Sequence, residues 1–310
     1  MSFKPNRPVV LVYLAAGVQG HAVVRAALAR GFAVRALVRD LSRAPRWPAR
    51  GIEWVEADLD DAEALRAASL GVDHAVLQFP TGPVDTMVAQ ARHAAAASVA
   101  AGLRSIVLKL ASASRPMPCA EPSFVGNAGV EAALRQAGLA FAVVRPTLYL
   151  DNLLKPSARQ EMLEQGRFSP PIAAGQRIAW TSADDCARAA ITLLERGARG
   201  EHRVAGLQSL DGHAFAAQLS AGLGRPVAYE AQAIDAFERE VDAAMGAGMG
   251  QRIASKFRYF SSHPDDAEAI LARPFVPDAG PDAALHDFRP TDVQTWVRRH
   301  RPALLGAADC

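Results

Sequence analysis

The stretch from residue 9 to residue 40 decides the fold of this chain, and its first part reads Val9-Val-Leu-Val-Tyr-Leu-Ala-Ala-Gly-Val-Gln-Gly20. The apolar start predicts a buried strand, and Gly17 and Gly20 predict a tight turn before an amphipathic helix. A second strand, Ala33 to Val38, follows and ends at Arg39. In a parallel sheet such a turn lets the backbone approach a pyrophosphate, and the N–H groups of the next helix point at it. A nucleotide is therefore the first ligand that the sequence indicates.

The turn departs from the three-glycine form GxxGxxG, because Leu14 stands where the first glycine would be. If Leu14 must adopt a left-handed backbone conformation, the cost is on the order of 1–2 kcal/mol. A charged hydrogen bond from Arg39 to a bound phosphate would return roughly 1.5–3 kcal/mol. These energies are comparable, so we expect dinucleotide binding to be retained unless the Leu14 side chain projects into the path of the pyrophosphate.

Helix and strand patterns alternate with short connections through the first half of the chain. The predicted elements are a helix over 21–30, strands over 33–38, 52–57, 73–78, 105–110 and 140–144, and helices after Asp61, over 85–101 and near 125–136. This alternation indicates an α/β fold with a doubly wound parallel sheet. After Arg145-Pro146 the alternation loosens. The sequence therefore predicts a nucleotide-binding domain over residues 1–150 and a smaller mixed C-terminal part over 151–310 that contributes elements back to the sheet.

The pattern of the second half is mixed. Residues Ile178 to Thr181 predict a strand, and Ser182 followed by two aspartates predicts the start of a helix. Further helices are predicted around 213–222 and 235–245. We interpret the run Gly246-Ala-Gly-Met-Gly250, which follows the second of these helices, as a flexible hinge or loop, because no buried strand precedes it.

Composition indicates an ordinary globular protein. Half of the 310 residues are hydrophobic and the formal net charge is only +2, so nucleic acid is not an expected partner. No segment approaches the roughly 20 apolar residues that span a bilayer, so no membrane partner is expected. Cys119, Cys186 and Cys310 have no spacing typical of a disulfide framework or a zinc site, and the eight histidines show no metal-ligand spacing. We therefore expect no metal and a reducing, cytoplasmic location.

Several strings, in their order and spacing, resemble the NmrA-like branch of the atypical short-chain dehydrogenases over residues 9 to about 300. They are Gly17-Val-Gln-Gly20, Val34-Arg-Ala-Leu-Val-Arg39-Asp40, Ala57-Asp58-Leu59-Asp60-Asp61, Gly138-Leu-Ala-Phe-Ala-Val-Val-Arg145-Pro146 with Asp151-Asn152, and Trp180-Thr-Ser-Ala-Asp184-Asp185-Cys-Ala-Arg188. The resemblance implies a Rossmann domain that holds NAD(P), with a C-terminal part closing over a substrate cleft. It also implies roles for individual residues: Gly17, Gln19 and Gly20 along the phosphates, Asp58 and Leu59 beside the adenine, and residues 145–152 near the nicotinamide.

Arg39 indicates which dinucleotide is preferred. It stands 19 positions past Gly20, at the end of the second strand. An acidic side chain at this place would hold a ribose 2′-hydroxyl and repel a 2′-phosphate, whereas a guanidinium favours NADP(H). The alternative is a solvated arginine at a strand end beside Asp40.

The usual catalytic pair of short-chain reductases is absent. None of the four tyrosines is followed four residues later by lysine, so the Tyr-x-x-x-Lys arrangement, in which lysine lowers the tyrosine pKa, is missing. By the resemblance, Asn127 occupies the position where NmrA-like reductases often have a lysine. Asn127 can hydrogen-bond a substrate but cannot supply a proton near pH 7.

Three residues remain as candidates for catalysis: Tyr149, Ser112 and Asn127. Tyr149 is the best remaining acid, with a place in the core or the pocket wall as the alternative. The family's serine after the fifth strand aligns with either Ala111 or Ser112. Lys109 and Lys155 are explained equally well by strand-edge or surface positions.

These observations favour an NADP-preferring reductase of a small apolar carbonyl or quinone compound. A quinone is the easier substrate, because its reduction needs little acid catalysis. Trp180, Phe257, Tyr259 and Phe260 would line an aromatic pocket or, alternatively, pack in the core. Two other functions stay open: a catalytically silent NADP(H) sensor that acts on a protein partner, and a non-redox enzyme that has lost cofactor binding.

Overall fold

A seven-stranded parallel sheet lies at the centre of the computed structural model, which describes residues 7–44, 51–115, 119–277 and 283–306. The strands are β1 (Val9–Val12), β2 (Ala33–Val38), β3 (Ile52–Glu56), β4 (His74–Leu77), β5 (Ser105–Lys109), β6 (Ala142–Pro146), β7 (Arg167–Phe168), β8 (Gly200–Val204) and β9 (Ala228–Tyr229). The order in the sheet is β3-β2-β1-β4-β5-β6-β8. Every neighbouring pair in it is parallel. The predicted α/β fold with a doubly wound sheet is confirmed.

Helices cover both faces of the sheet. They are α1 (Val18–Ala29), α2 (Ala62–Ser69), α3 (Val84–Ala101), α4 (Pro122–Gln136), α5 (Pro156–Gln160), α6 (Ala183–Glu195), α7 (Gly212–Leu223), α8 (Ile234–Met245), α9 (Met249–Ser262), α10 (Pro264–Ala267) and α11 (Val293–Leu304). Short 3-10 segments occur at Leu41–Arg43, Leu150–Leu154 and Ala283–Leu285, and π-helical turns at Glu161–Gln165 and Glu268–Ala272. Across the described residues, no helix is both long enough and apolar enough to cross a bilayer.

The two faces of the sheet carry separate hydrophobic layers because successive strand residues point to opposite sides. Val10 and Val12 of β1 pack with α1 and α6. Val9 and Leu11 pack with α2, α3 and α4 on the other face. Burial of both faces explains why β1 is apolar at every position rather than at alternate ones.

The order in which strands are added to the sheet reverses between β1 and β4. These two strands are neighbours in the sheet although β2 and β3 lie between them in sequence. In a doubly wound sheet this is the switch point, where a crevice opens at the carboxyl ends of the strands. The turn that follows β1 and the residues that follow β4 and β5 therefore meet at this edge. It is the place where the fold itself provides room for a ligand.

The C-terminal half completes the sheet and adds a second core. β8 pairs with β6, and α6 packs beside α1. The strands β7 and β9 form a separate pair within an aromatic cluster built largely from residues after 147. The structure thus returns elements of this half to the sheet, while the division into parts at residue 150 stays a prediction.

Local predictions differ from the structure in several places. Helices α1 and α4 begin at Val18 and Pro122, each three residues earlier than expected, and β6 is shifted two residues towards the C-terminus. The strand predicted over 178–181 is wrong, because only isolated bridges occur there, from Ile178 to Leu210 and from Thr181 to Tyr149. In the glycine run, Gly246 ends α8 and the residues before Met249 form a turn, but Gly250 lies buried inside α9. A Cβ at position 250 would come within 2.3 Å of the carbonyl oxygen of Glu238, so close helix packing explains that glycine.

Candidate functional site

The turn between β1 and α1 is held together by its own backbone. The Gly17 N–H donates to the carbonyl oxygen of Leu14 at 3.0 Å, and the His21 N–H donates to the carbonyl oxygen of Gly17 at 2.8 Å. Gly20 packs on the same Leu14 carbonyl group, where a Cβ would lie 2.1 Å from the oxygen. A Cβ at Gly17 would meet that oxygen at 3.5 Å, an ordinary contact. The packing of α1 against the turn therefore requires glycine at position 20.

The start of α1 has free hydrogen-bond donors. Its N-cap residue is Gly17, no side chain caps the helix, and its first turn contains no acidic residue. The N–H groups of Val18, Gln19 and Gly20 have no partner within the helix, as at the beginning of any α-helix. Uncapped donors at the positive end of a helix dipole attract anions. These free N–H groups, together with the lack of side chains at Gly17 and Gly20, fit the diphosphate of a dinucleotide.

The backbone of Leu14 adopts the left-handed conformation whose cost was derived from the sequence. Its φ is 51°, and it is the one non-glycine residue with positive φ among those described. The side chain is 36% exposed. Its backbone carbonyl, in contrast, faces the turn and contacts Gly17 and Gly20. Leu14 thus adds strain of about 1–2 kcal/mol to the turn.

Replacing Leu14 by glycine is expected to raise the free energy of unfolding by about 1 kcal/mol, because glycine takes positive φ without a side-chain penalty. The greater freedom of glycine in the unfolded chain reduces the gain. Denaturant titration measures the difference. Val18→Gly is the matched control, since Val18 is exposed in the first turn of α1, and it should lower stability. Equal losses in both variants would contradict a strained Leu14.

Arg39, Asp58 and Leu59 follow the next two strands. Arg39 is exposed at the end of β2, and none of the described residues forms an ion pair with its guanidinium. The Asp58 carboxylate is exposed and accepts from the backbone N–H of Asp60 at 3.0 Å. Leu59 is buried, and its carbonyl oxygen lies 3.1 Å from a ring nitrogen of His93. Arg39 is therefore available to a ligand, while the adenine roles of the other two residues stay predictions.

A buried lysine lies below the turn. Lys109, the last residue of β5, is fully buried rather than placed at a surface edge. Its ammonium donates to the side-chain oxygen of Gln19 and, at 3.1 Å, to the hydroxyl of Tyr149. Gln19 in turn donates to the carbonyl oxygen of Ala111 at 3.1 Å. Lys109 thus connects the glycine turn with the segments that follow β5 and β6.

Burial changes the acidity of this lysine and its tyrosine neighbour. It lowers the pKa of Lys109 to about 8 and raises the pKa of Tyr149 well above its usual value. The Tyr149 hydroxyl donates to the carbonyl oxygen of Leu110 at 3.2 Å, and the residue is only 5% exposed. At neutral pH the lysine therefore holds its proton beside a neutral phenol. The structure brings together a tyrosine and a lysine that no sequence motif connects.

Ser112 and Asn127 are half-buried and have little internal hydrogen bonding. The Ser112 hydroxyl makes one long contact, 3.5 Å to the carbonyl oxygen of Ala113. The described residues offer no hydrogen bond to the Asn127 side chain on α4. Both side chains can therefore bind a ligand, and their catalytic roles stay predictions.

The aromatic residues of the C-terminal half are mostly core. Trp180, Tyr259 and Phe260 are buried, and Trp180 stacks on Phe215 with ring centroids 4.5 Å apart. Phe257 is partly buried at the margin of the same cluster. This arrangement agrees with core packing, the alternative to a substrate pocket for three of the four rings.

The cysteines form no metal cluster in the part of the chain that the structure describes. Cys119 and Cys186 are free thiols, and Cys310 lies outside the described residues. Burial raises the pKa of the Cys186 thiol to about 11, which disfavours the reactive thiolate. No group of three or more metal-binding side chains occurs among the described residues.

Comparison with known proteins identifies the family. The NmrA-like family model matches residues 6–281. NAD(P)H azoreductase of Xenophilus azovorans is 30% identical over 267 residues, which cover 84% of this chain and 90% of that protein. The crystal structure of an NADPH-dependent quinone oxidoreductase from Escherichia coli, complexed with NADPH, has a TM-score of 0.71 at 22% identity, covering 94% of this chain and 99% of that chain. The structure of NmrA, a negative transcriptional regulator, in complex with NAD has a TM-score of 0.71 at 18% identity, covering 96% of each chain. This chain belongs to the NmrA-like family.

Proposed function

We propose that this chain is an NADPH-dependent reductase of small apolar carbonyl or quinone compounds. One observation carries the proposal: the uncapped start of α1 and the glycine turn lie at the sheet's switch point, and the adjacent strand ends at Arg39, with which none of the described residues forms an ion pair. The relatives named for NAD(P)H-dependent azo and quinone reduction support the reaction class.

The cofactor would lie along the carboxyl edge of the sheet. The backbone N–H groups of Gln19 and Gly20 would bind the diphosphate, and Gly17, whose own N–H donates to Leu14, would line it without a side chain. Arg39 would bind the 2′-phosphate. Asp58 and Leu59 would border the adenine. NADPH bound there would supply the hydride.

The residues around the substrate would orient its oxygen and supply a proton. Ser112 and Asn127 can each donate a hydrogen bond to a carbonyl oxygen. A proton given up by the Tyr149 hydroxyl would be replaced from the Lys109 ammonium, 3.1 Å away. Lys109 would then regain its proton from solvent.

A quinone suits this arrangement better than an unactivated ketone. The raised pKa of Tyr149 makes the phenol a weak acid near neutral pH. The oxygen of a reduced quinone tolerates negative charge, so its protonation can follow hydride transfer. An unactivated ketone yields a strongly basic alkoxide and needs the proton during the transfer.

Loss of NADPH absorbance with a panel of quinones and aldehydes tests the proposal. We expect quinones to be reduced faster than aldehydes, and Tyr149→Phe to slow aldehyde reduction by about a hundredfold while slowing quinone reduction less. Absorbance loss no faster than the background with every compound would contradict a reductase.

A sensor of NADP redox state is the second candidate. The burial of Tyr149 and Lys109 favours it, because neither group presents much surface to a substrate. Calorimetric titration with NADP, NADPH and NAD separates the functions. Tight NADP binding without turnover would support a sensor, and no binding of any dinucleotide would leave a non-redox enzyme that has lost the cofactor.

A further inference from the structure

Lys256 on α9 is a buried cation that the proposed reduction does not use. The residue is 7% exposed, and the described part of the chain provides its ammonium with no carboxylate partner and no hydrogen-bond acceptor. The ammonium contacts the ring of Phe257, whose centroid lies 5.3 Å from Nζ. A cation–π contact contributes about 0.5–2 kcal/mol, whereas removing an unpaired ammonium from water costs several kcal/mol. Among the described residues, this largely buried lysine therefore has no acidic partner, and its Nζ keeps only a small contact with solvent.

Lys155 adds a second positive charge nearby. It follows the 3-10 segment Leu150–Leu154, and no ion pair to it occurs among the described residues. Burial, together with the charge of Lys155, lowers the pKa of Lys256 to about 8. Two like charges repel each other when, as among the described residues, no acidic side chain pairs with either, and an anion bound between them would remove that repulsion.

Both lysines lie beyond the carboxyl edge of the sheet, near the predicted substrate residues. The backbone N–H of Lys256 donates to the hydroxyl of Ser123 at 3.1 Å. Ser123 is in the first turn of α4, one helical turn before Asn127 on the same face. Lys155 ends the segment that follows β6, and β6 is the parallel neighbour of β5. Because β5 and β6 are parallel, the segments that follow them, which contain Ser123 and Lys155, both begin at the carboxyl edge of the sheet.

From this placement we propose that Lys155 and Lys256 bind an anionic substituent of the substrate, a carboxylate, sulfonate or phosphate group on an apolar body. The proposal rests on the proposed reductase function and specifies its substrate class. Lys256 provides a largely buried cation, to which a charged hydrogen bond is strong. Lys155 is exposed and would attract the anion from solvent. The partly buried ring of Phe257 would contact the apolar body.

Matched substrates test the subsite. We measure kcat/KM with NADPH for a naphthoquinone and for its sulfonated and carboxylated derivatives, and express each as a ratio to the neutral compound. We expect Lys256→Gln to lower both ratios about tenfold, the loss of one charged contact, and Lys155→Gln to lower them less. Arg239→Gln, which removes a cation from the exposed face of α8, is the control for net charge and should leave the ratios unchanged. Ratios equal in wild type and Lys256→Gln would overturn the proposal.

A binding measurement tests the anion subsite independently of any catalytic turnover. Naphthalene sulfonate and naphthoate contain no reducible group, so calorimetric titration detects them even if the chain reduces no quinone. We expect both to bind wild type at least about tenfold more tightly than Lys256→Gln. Inorganic phosphate is titrated in parallel, and phosphate binding as tight as that of the aromatic anions would contradict a site for a substituent on an apolar body.

Thermal unfolding gives a second readout that does not depend on turnover. Lys256→Met removes the largely buried cation while keeping an unbranched side chain, so we expect a folded protein with a higher midpoint than wild type. Naphthalene sulfonate should raise the midpoint of wild type and leave that of Lys256→Met unchanged. A sulfonate effect of equal size in both proteins would show binding elsewhere and overturn the proposal.

Discussion

Alanine at position 20 is expected to destabilise the protein by about 3 kcal/mol or more, the upper range for overpacking a filled site. The added Cβ would lie 2.1 Å from the carbonyl oxygen of Leu14, 2.7 Å from its carbonyl carbon and 2.8 Å from the Cα of Ala15. All three atoms are backbone, so no side-chain rotation can relieve the contact. The helix propensity of alanine returns only about 1 kcal/mol relative to glycine.

Denaturant and thermal unfolding of Gly20→Ala measure this loss, with Gly17→Ala as the matched control. The Cβ of Gly17→Ala would meet the Leu14 oxygen at 3.5 Å, so this variant should unfold close to wild type. It should nevertheless bind NADP more weakly, because the new methyl group stands at the exposed mouth of the turn. A Gly20→Ala protein with the wild-type midpoint would show that the turn does not need close packing of α1.

The fold was predictable because its signals are local. The strands and helices of the first half are marked by their own apolar periods, and some helices also by glycine or aspartate at one end, as at Gly102 and Asp61. The strand predicted over 178–181 failed for the opposite reason. Those apolar residues are buried by packing in the C-terminal core and by isolated bridges, not by a ladder of hydrogen bonds.

The glycine turn could be predicted from the sequence, but the contact between Lys109 and Tyr149 beside it could not. Lys109 and Tyr149 are 40 positions apart and meet because β5 and β6 are parallel neighbours. No spacing rule applies to a pair from separate strands. The burial of Lys256 is equally hidden in the sequence, since it depends on the packing of α9 against α4. The pattern of α9 alone is that of an ordinary amphipathic helix.

Aspartate in place of Arg39 is expected to reverse the preference for NADPH that we propose. Loss of one charged contact should weaken NADPH binding about tenfold or more, and repulsion of the 2′-phosphate adds to that loss. NADH should bind more tightly, because the new carboxylate can accept the ribose 2′-hydroxyl. The combined change in the NADPH to NADH affinity ratio is about a hundredfold, or roughly 2.7 kcal/mol.

Two control variants distinguish the loss of a direct contact between Arg39 and the cofactor from a general effect of net charge. Arg39→Gln removes the cation without adding an acid, so NADPH binding should weaken while NADH binding stays close to wild type. Arg92→Asp makes the same change of net charge on the exposed face of α3 and should alter neither affinity. Calorimetric titration of all four proteins with both cofactors gives the ratios. Equal NADPH affinity in wild type and Arg39→Asp would place Arg39 outside the cofactor site, because a guanidinium that binds the 2′-phosphate cannot be exchanged for a carboxylate without loss.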